Sequence, residues 1–280
     1  SVRAQSVGDV SFGSFLSGGL DSSLIAKFAS SFIGNLSTFT IGFEHDEFEN
    51  VEQFFDERKI AKAISREIGS KHFEKEISAT EFFSSIRTVS SILEEPRVGQ
   101  SYPNYYASKL AAENATVVFS GTGGDELFGG YPWRYQLDEN FSSWQALIDT
   151  HYHKSHKLLK HSELQSLIRR NEDFGDSQRP FEVFANFFNE YMDLKIDKYR
   201  ATESIMQYEA NSFLKGLLST EDKLGMHFSL ETRFPFLDNQ LVDYVLNSEY
   251  LSFSQDNQTS STNIFGKMPL RNMASEYLPK

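Results

Sequence analysis

The sequence contains no cysteine. Disulfide bonds, thiolate metal sites and cysteine nucleophiles are therefore excluded within the chain, and redox chemistry carries no information about its cellular compartment. The sequence also lacks an apolar run long enough to cross a bilayer, and it lacks a basic segment followed by an apolar one near its start. Neither a transmembrane segment nor a signal peptide is predicted.

The sequence also has fewer basic than acidic residues. It contains 27 lysines and arginines and 39 aspartates and glutamates, which together give a net charge of −12. A surface of this sign repels nucleic-acid phosphates and anionic membranes, so we expect neither as a partner. It also repels anionic ligands at a distance, so a phosphate-binding site in this chain has to supply its own local positive potential. The content of 39% apolar residues over 280 positions is ordinary for a globular protein with a sizeable core.

Strands and helices alternate along the first half of the chain. Short apolar runs at residues 10–16 and 36–43 predict buried strands, and apolar residues at helical spacing follow the first of them. The segment 51–68 predicts a helix with Gly69 at its carboxyl end. Further elements are predicted at residues 71–77 (strand), 78–93 (helix), 102–113 (helix) and 116–119 (strand). This alternation indicates right-handed βαβ units in a parallel sheet that helices cover on both faces.

The second half of the chain has a different character, because glycine becomes sparse after residue 135 and the apolar patterns become helical. We therefore expect one domain over residues 1–280, with a core sheet at about 8–135 and a helical region at about 136–280. The helical region divides into an insertion, at about 136–219, and a C-terminal part.

The strongest motif is SGGLDSS at residues 17–23, between the first predicted strand and the first predicted helix. Its glycines let the backbone approach an anion closely, and the amino-terminal end of the following helix attracts negative charge. The hydroxyl groups of Ser17 and Ser22 add hydrogen-bond donors. In this context the pattern predicts a pyrophosphate site, whereas a lone Ser-Gly-Gly would indicate only a turn. It is not a Walker A loop, because the chain contains no GxxxxGK(S/T) segment.

A second glycine-rich segment, SGTGGDELFGGY at residues 120–131, follows the strand predicted at 116–119. Ligands bind to open parallel sheets at the carboxyl ends of the strands. Since both glycine-rich segments stand at such ends, we expect a single site built from both.

Four motifs resemble those of a known family. SGGLDSS resembles the PP-motif of the ATP pyrophosphatases, which include asparagine, NAD, GMP and argininosuccinate synthetases. The segment 120–131 resembles the SGxGxDExFGGY motif of the class B, glutamine-hydrolysing asparagine synthetases. ETRFPFLD at residues 231–238 and KMPLR at residues 267–271 resemble the ExRxPFLD and KxxLR motifs of the same family. The motifs occur in the family's order and reach from residue 10 almost to the C-terminus.

This resemblance implies an α/β fold: a parallel-sheet, Rossmann-like domain of the adenine nucleotide alpha-hydrolase type with a helical insertion and a helical C-terminal part. It implies ATP and Mg²⁺ as cofactors and a reaction in two steps. A small-molecule carboxylate, which is aspartate in the asparagine synthetases, attacks the α-phosphate of ATP, and pyrophosphate leaves. Ammonia then attacks the acyl-adenylate, giving the amide and AMP.

The resemblance also implies a partner domain. Members of the family take ammonia from an N-terminal glutaminase domain whose nucleophile is a cysteine, and this chain has none. We therefore expect a glutaminase domain upstream in the native protein. The resemblance further implies a cytoplasmic enzyme and leaves a homodimer open.

The residues that match the family motifs take their expected roles from the resemblance. Lys267 is the expected electrophilic catalyst, and Asp125 and Glu57 are the expected Mg²⁺ ligands, with Asp56 as the alternative to Glu57. The residues expected to contact ATP or pyrophosphate are Leu16, Ser17, Gly18, Gly19, Asp21, Ser22, Gly42, Phe43, Ser120 and Gly121. The candidates for the substrate pocket are Glu231, Arg233 and Asp238.

Thr122 stands at a catalytic position of the second loop and departs from the family pattern. The family usually carries Glu or Asp there, which takes part in proton transfer as nitrogen attacks, and a threonine hydroxyl is a poor general base. The nucleophile and the acid therefore stay open. One alternative is amidation of another acid, such as a sugar carboxylate in surface-polysaccharide synthesis, and another is nucleotide binding without turnover. The absence of cysteine and of a basic surface speaks against tRNA thiolation, which uses the same first loop.

Overall fold

A parallel five-stranded sheet forms the centre of the protein, with the strand order β3-β2-β1-β4-β5. The computed structural model describes residues 1–44, 57–95, 101–131, 133–134, 141–156, 163, 179–248 and 266–278. All four strand pairings are parallel, which confirms the predicted α/β class. The strands are β1 (Phe12–Phe15), β2 (Ser37–Phe43), β3 (Lys71–Ile77), β4 (Val117–Phe119) and β5 (Glu231–Arg233).

Helices connect the strands and fill most of the second half of the described chain. Those around the first four strands are α1 (Val2–Gln5), α2 (Leu20–Ser30), α3 (Arg58–Ile68), α4 (Ala79–Leu93), α5 (Ser101–Ala112) and α6 (Gly124–Phe128). Those that follow are α7 (Trp144–His151), α8 (Arg179–Asn186), α9 (Lys198–Tyr208), α10 (Leu214–His227), α11 (Asn239–Leu246) and α12 (Met268–Tyr277). Within the described ranges, no helix has the length and apolarity needed to cross a membrane.

Local sequence explains where two of these helices end and begin. Helix α3 ends at Gly69, whose φ of 68° places it in the left-handed region, as the sequence predicted. Helix α4 begins after Ser78, whose side chain accepts a hydrogen bond from the backbone N–H of Glu81. The Glu81 carboxylate in turn accepts from the backbone N–H of Ser78 at 3.0 Å, which completes a capping box.

Strand β5 is an element that the sequence patterns did not predict, and it extends the core sheet beyond the expected range of 8–135. Its three residues are too few and too polar to give a periodic signal. Backbone pairing with β4 defines it instead. The N–H of Glu231 donates to the carbonyl of Thr116 at 3.0 Å, and the N–H of Ser120 donates to the carbonyl of Arg233 at 2.9 Å. The second glycine-rich loop thus starts from a strand that has neighbours on both sides.

The core lies on both faces of the sheet. On one face Phe12 of β1 stacks on Phe119 of β4, with ring centroids 5.8 Å apart. Buried residues of the helical region, including Leu147 and Ile205, belong to the same cluster, so this region packs directly against the sheet. On the other face Phe39 packs with residues that include Val118, Ala111 and Leu230. Alternate residues of β4 serve the two clusters, as a strand buried on both faces requires.

Candidate active site

A cavity of about 540 Å³ opens at the carboxyl ends of the central strands. It has the size of a typical small-molecule site. The predicted site residues that line it are Leu16, Ser17, Gly19, Asp21, Ser22, Phe43, Glu57, Ser120, Gly121, Thr122 and Asp125. Side chains that the sequence patterns did not single out complete the wall: Phe15, Phe39, Thr40, Ile41, Pro103, Asn104, Ala107, Ser108 and Glu221.

The first loop, residues 17–23, holds its shape through its own hydroxyl groups. The Oγ atoms of Ser17 and Ser22 lie 3.0 Å apart, and the N–H of Gly19 donates to Ser17 Oγ at 3.1 Å. Gly18 adopts a φ of 96°, and a Cβ at this position would lie 2.8 Å from the carbonyl oxygen of Glu57. Helix α2 begins at Leu20, directly after this loop. The strand, loop and helix that the sequence predicted for an anion site are therefore in place.

The second loop, residues 120–131, touches the first. A Cβ at Gly121 would lie 2.9 Å from the backbone nitrogen of Ser22, and a Cβ at Gly124 would overlap the carboxylate of Asp21. Only glycine at these two positions lets the loops approach this closely. The sequence argument that both loops build one site agrees with this contact.

Lys267 joins the site from the far end of the chain. Its backbone N–H donates to the carbonyl of Phe128 at 2.9 Å, which fixes the start of α12 against the second loop. Its Nζ lies 2.6 Å from Oδ1 of Asp125 and also contacts Oδ2 of Asp21. A Cβ at Gly130 would overlap both Asp125 and Lys267, so glycine makes room for this pair. One ammonium group therefore sits between two carboxylates at the edge of the cavity.

Burial and charge act together on these groups. Burial lowers the pKa of Lys267, but the carboxylates of Asp21 and Asp125 outweigh it and raise that pKa above its usual value. Burial raises the pKa of Asp21, and the nearby ammonium partly offsets this effect. Lys267 therefore carries a positive charge at neutral pH.

Comparison with known proteins assigns this chain to a family. The family model described as asparagine synthase matches residues 1–280. The chain belongs to the asparagine synthase family. It is 30% identical over 269 residues to an asparagine synthetase (glutamine-hydrolyzing) of Bacillus subtilis, covering 87% of this chain and 41% of that protein. A putative asparagine synthetase (glutamine-hydrolyzing) of Mycobacterium bovis is 31% identical over 265 residues, covering 86% of this chain and 40% of that protein.

The chain thus spans about two fifths of the length of these relatives of the asparagine synthase family. Among solved structures, an NMN synthetase from Francisella tularensis is similar at 12% identity and a TM-score of 0.31, covering 67% of this chain and 88% of that one. A likeness at that level adds nothing to the family assignment.

The acidic residues of the cavity suit the Mg²⁺ that the asparagine synthase family implies. Mg²⁺ prefers oxygen ligands and takes one or two protein carboxylates together with substrate phosphates. Asp125 and Glu57 line the cavity, and Oδ1 of Asp21 is buried without a hydrogen bond in the described structure. Burial raises the pKa of Glu57. The described residues contain no group of three or more His, Cys, Asp or Glu side chains that could hold a metal by themselves. Asp56, the alternative ligand, lies outside the described residues.

Two glycines expected at the nucleotide do not line the cavity. Gly18 packs against the backbone of Glu57 and so fixes the shape of the first loop without lining the cavity. Gly42 packs against the side chain of Arg58, which a Cβ at this position would overlap. Arg58 in turn forms an ion pair with Glu76 at 3.2 Å. Both glycines therefore act on the site through packing, whereas the neighbouring Phe43 lines it.

The substrate-pocket candidates drawn from the ExRxPFLD motif of the asparagine synthase family lie among polar contacts around β5 and the start of α11. Glu231 and Arg233 form an ion pair at 2.7 Å, and Arg233 also donates to the carbonyl of Val7 at 3.1 Å. Asp238 caps helix α11, accepting from the backbone N–H of Gln240 at 3.1 Å. None of the three candidates lines the cavity. Arg233 thereby ties the edge strand β5 to the N-terminal segment, and Asp238 fixes the start of α11.

Glu221 is the acidic residue of the cavity that the sequence did not reveal. It belongs to α10, and its Oε1 accepts a hydrogen bond from Oγ1 of Thr122, a residue 99 positions away. Burial raises the pKa of Glu221, and the nearby hydroxyl groups of Thr122 and Ser120 only partly oppose this. No local pattern distinguishes this glutamate from other helical glutamates, so only the fold could identify it.

Proposed function

We propose that this chain is the synthetase part of an asparagine synthetase: it activates the β-carboxylate of aspartate as an acyl-adenylate with release of pyrophosphate, and ammonia then forms the amide. The observation that carries the proposal is the meeting of the two glycine-rich loops with the Lys267, Asp21 and Asp125 cluster at one cavity. The names of the relatives, which specify asparagine synthetases that hydrolyse glutamine, support the same reaction.

In this proposal each loop has a separate task. The first loop, with Ser17, Gly19 and Ser22, holds the pyrophosphate as it leaves, since helix α2 presents its positive end there. The second loop contributes Ser120 and Gly121 to the nucleotide, and the apolar side chains of Phe43 and Ile41 offer a surface for the base.

Lys267 is the residue proposed to act on the α-phosphate. Negative charge develops on the phosphoryl oxygens when a carboxylate attacks, and a fixed ammonium stabilises that charge more than it stabilises the ground state. Asp125 and Glu57, with Asp21 beside them, would hold Mg²⁺, which neutralises phosphate charge when it is bound. Asp21 and Asp125 also keep Lys267 charged and in position.

The source of nitrogen is part of the proposal. A glutaminase domain upstream in the native protein would supply ammonia, and the reaction would take place in the cytoplasm. The names of the relatives, which describe them as glutamine-hydrolyzing, support glutamine as the source of that ammonia. Free ammonium can replace that domain in an experiment, so the synthetase step is testable with this chain.

The test is pyrophosphate release from Mg-ATP by this chain in the presence of aspartate and ammonium. We compare the wild type with Asp125→Asn and with Asp193→Asn, which changes an exposed aspartate away from the cavity. Release that requires aspartate, survives Asp193→Asn and disappears in Asp125→Asn supports the proposal. A panel of other acids is tested in parallel. Release with a different acid but not with aspartate would refute aspartate as the substrate and keep the adenylation chemistry.

A further inference from the structure

Glu221 differs from the other acidic residues of the cavity in what surrounds it. Asp21 and Asp125 contact the ammonium of Lys267, and Glu57 lies beside the first loop. Glu221 instead accepts a hydrogen bond from the neutral hydroxyl group of Thr122, and no cation of the described chain is among the groups that shift its pKa. Its carboxylate is therefore set apart from the cation-binding end of the cavity.

One oxygen of this carboxylate has no hydrogen-bond partner among the described residues. Oε1 of Glu221 accepts from Thr122, while Oε2 is buried and forms no hydrogen bond in the described structure. Buried carboxylate oxygens are normally hydrogen-bonded, and an exception calls for an explanation. If Glu221 served only to hold the second loop, one oxygen would suffice for that task and the other would find a donor in the protein. A ligand in the cavity that Glu221 lines would provide one.

The hydroxyl groups fix the direction of the carboxylate. Ser120 Oγ donates to Thr122 Oγ1 at 3.1 Å, and Thr122 Oγ1 then donates to Glu221. The backbone N–H of Thr122 also donates to Ser120 Oγ at 3.2 Å. In this chain of hydrogen bonds Thr122 uses its proton to orient Glu221, so its hydroxyl is not available to remove a proton from another group.

We propose that Glu221 is the proton acceptor of the amide-forming step, positioned by Thr122 and Ser120; this rests on the function proposed above. The nitrogen lone pair forms a bond to the acyl carbon of the adenylate, and the carbonyl π electrons move to oxygen. Oε2 of Glu221 accepts one N–H proton from the positively charged nitrogen. The carbonyl re-forms, the bond between the acyl carbon and the phosphate oxygen breaks, and AMP leaves with that electron pair. Glu221 then gives its proton to water.

The environment suits this role. A general base works best when its pKa approaches the pH at which the enzyme operates. Burial moves the pKa of Glu221 upward, in that direction. Glu221 of α10 thereby provides a proton acceptor next to the second loop. Thr122 itself cannot provide one.

The experiment separates the two halves of the reaction. Glu221→Gln keeps an oxygen that can accept from Thr122 and removes the base. We measure aspartate-dependent exchange of pyrophosphate into ATP, which reports adenylation, and ammonium-dependent amide formation in the same preparations. We expect unchanged exchange and a fall in kcat for amide formation of about 100-fold or more. Asp222→Asn changes the exposed neighbour on the same helix and is expected to behave as wild type in both assays.

The choice of nucleophile gives a second readout. Hydroxylamine is a stronger nucleophile than ammonia and its protonated nitrogen is more acidic, so it depends less on a base. Hydroxamate formation by Glu221→Gln is expected to fall much less than amide formation. A purely structural role for Glu221 would reduce both products equally.

A carboxylate exchange tests the same idea without relying on one variant. The double variant Thr122→Glu, Glu221→Thr moves the carboxylate from α10 to the loop, and we expect it to form more amide than Glu221→Gln. Wild-type amide formation by Glu221→Gln, or loss of pyrophosphate exchange together with amide formation, would overturn the role of Glu221. A wild-type chain without pyrophosphate exchange would instead overturn the proposed function, and this inference with it.

Discussion

Nζ of Lys267 lies 2.6 Å from Oδ1 of Asp125, at the point where helix α12 begins and the second loop turns. The same ammonium contacts Asp21, which is 246 positions earlier in the chain. The cation is therefore already positioned beside the cavity by the fold itself. A preorganised charge of this kind needs no rearrangement when negative charge develops nearby.

The first prediction concerns this lysine. Lys267→Met removes the ammonium and leaves the carboxylates of Asp21 and Asp125 facing the phosphates of ATP. We expect aspartate-dependent pyrophosphate exchange to fall by about 100-fold or more. Lys215→Met, at an exposed position on α10, is the matched control and should keep wild-type exchange. Equal activity of the two variants would show that Lys267 has no part in adenylation.

The second prediction uses two glycines that share a positive φ. Gly18 has a φ of 96° and stands against Glu57, whereas Gly69 has a φ of 68° and nothing within 4 Å of an added Cβ. Alanine in a left-handed conformation costs about 1–2 kcal/mol, so both substitutions lower the free energy of unfolding by a similar backbone term. Gly18→Ala also pushes the first loop away from Glu57, and we expect a strong rise in KM for ATP. Steady-state kinetics and urea unfolding separate the effects.

Gly69→Ala places alanine in a left-handed conformation, with the same cost in the free energy of unfolding, at a position outside the cavity. It should lose stability and keep the wild-type KM for ATP. If Gly18→Ala also kept that KM, the shape of the first loop would not govern nucleotide binding.

The third prediction tests the metal ligands. Glu57→Gln keeps the size of the side chain and removes its charge, so Mg²⁺ should bind more weakly at the cavity. We expect the Mg²⁺ concentration for half-maximal pyrophosphate release to rise about tenfold. Glu67→Gln, which breaks only the exposed pair with Lys27 at 3.7 Å, should leave that concentration unchanged. An unchanged Mg²⁺ requirement in Glu57→Gln would direct the search to Asp56.

Local chemistry explains which parts of the fold and the site could be predicted. The glycine-rich loops were recognisable because close approach of backbones demands glycine at positions such as Gly18 and Gly121. Strand β3 has the predicted bounds, 71–77. Strand β5 has no local sequence signal, because its pairing with β4 defines it. Glu221 has none either, because its role depends on a contact with a residue 99 positions away. The motif around Arg233 was visible, but only the fold could decide that its side chain faces the N-terminal segment.

The fourth prediction concerns a buried ion pair that joins the end of the second loop to the helical region. Arg134 donates to Oε1 of Glu209 at 2.6 Å, and the Glu209 side chain is fully buried. The guanidinium also lies between the rings of Tyr131 and Phe213, at 4.9 and 4.6 Å from their centroids. Arg134→Met leaves a buried carboxylate without this cation and should cost about 3–5 kcal/mol in the free energy of unfolding at neutral pH.

The loss in Arg134→Met should depend on pH with a definite sign. Burial raises the pKa of Glu209 and Arg134 opposes it, so removal of Arg134 raises that pKa further. A carboxyl group whose folded-state pKa is raised favours the folded state at low pH and loses that contribution as the pH rises through its pKa. The deficit of the variant, measured by urea unfolding, should therefore shrink as the pH is lowered from neutral towards the usual pKa of a glutamate.

The double variant Arg134→Met, Glu209→Gln decides whether the cost comes from the loss of the cation beside Glu209 or from lost packing of the arginine side chain. With the carboxylate gone, no buried charge remains to be compensated, so we expect the double variant to be more stable at neutral pH than Arg134→Met alone. Its stability relative to the wild type should also depend less on pH, because the group whose protonation differed between the folded and unfolded states is absent. An equal loss in both variants at every pH would assign the cost to the contacts of the guanidinium with Tyr131 and Phe213 rather than to the ion pair.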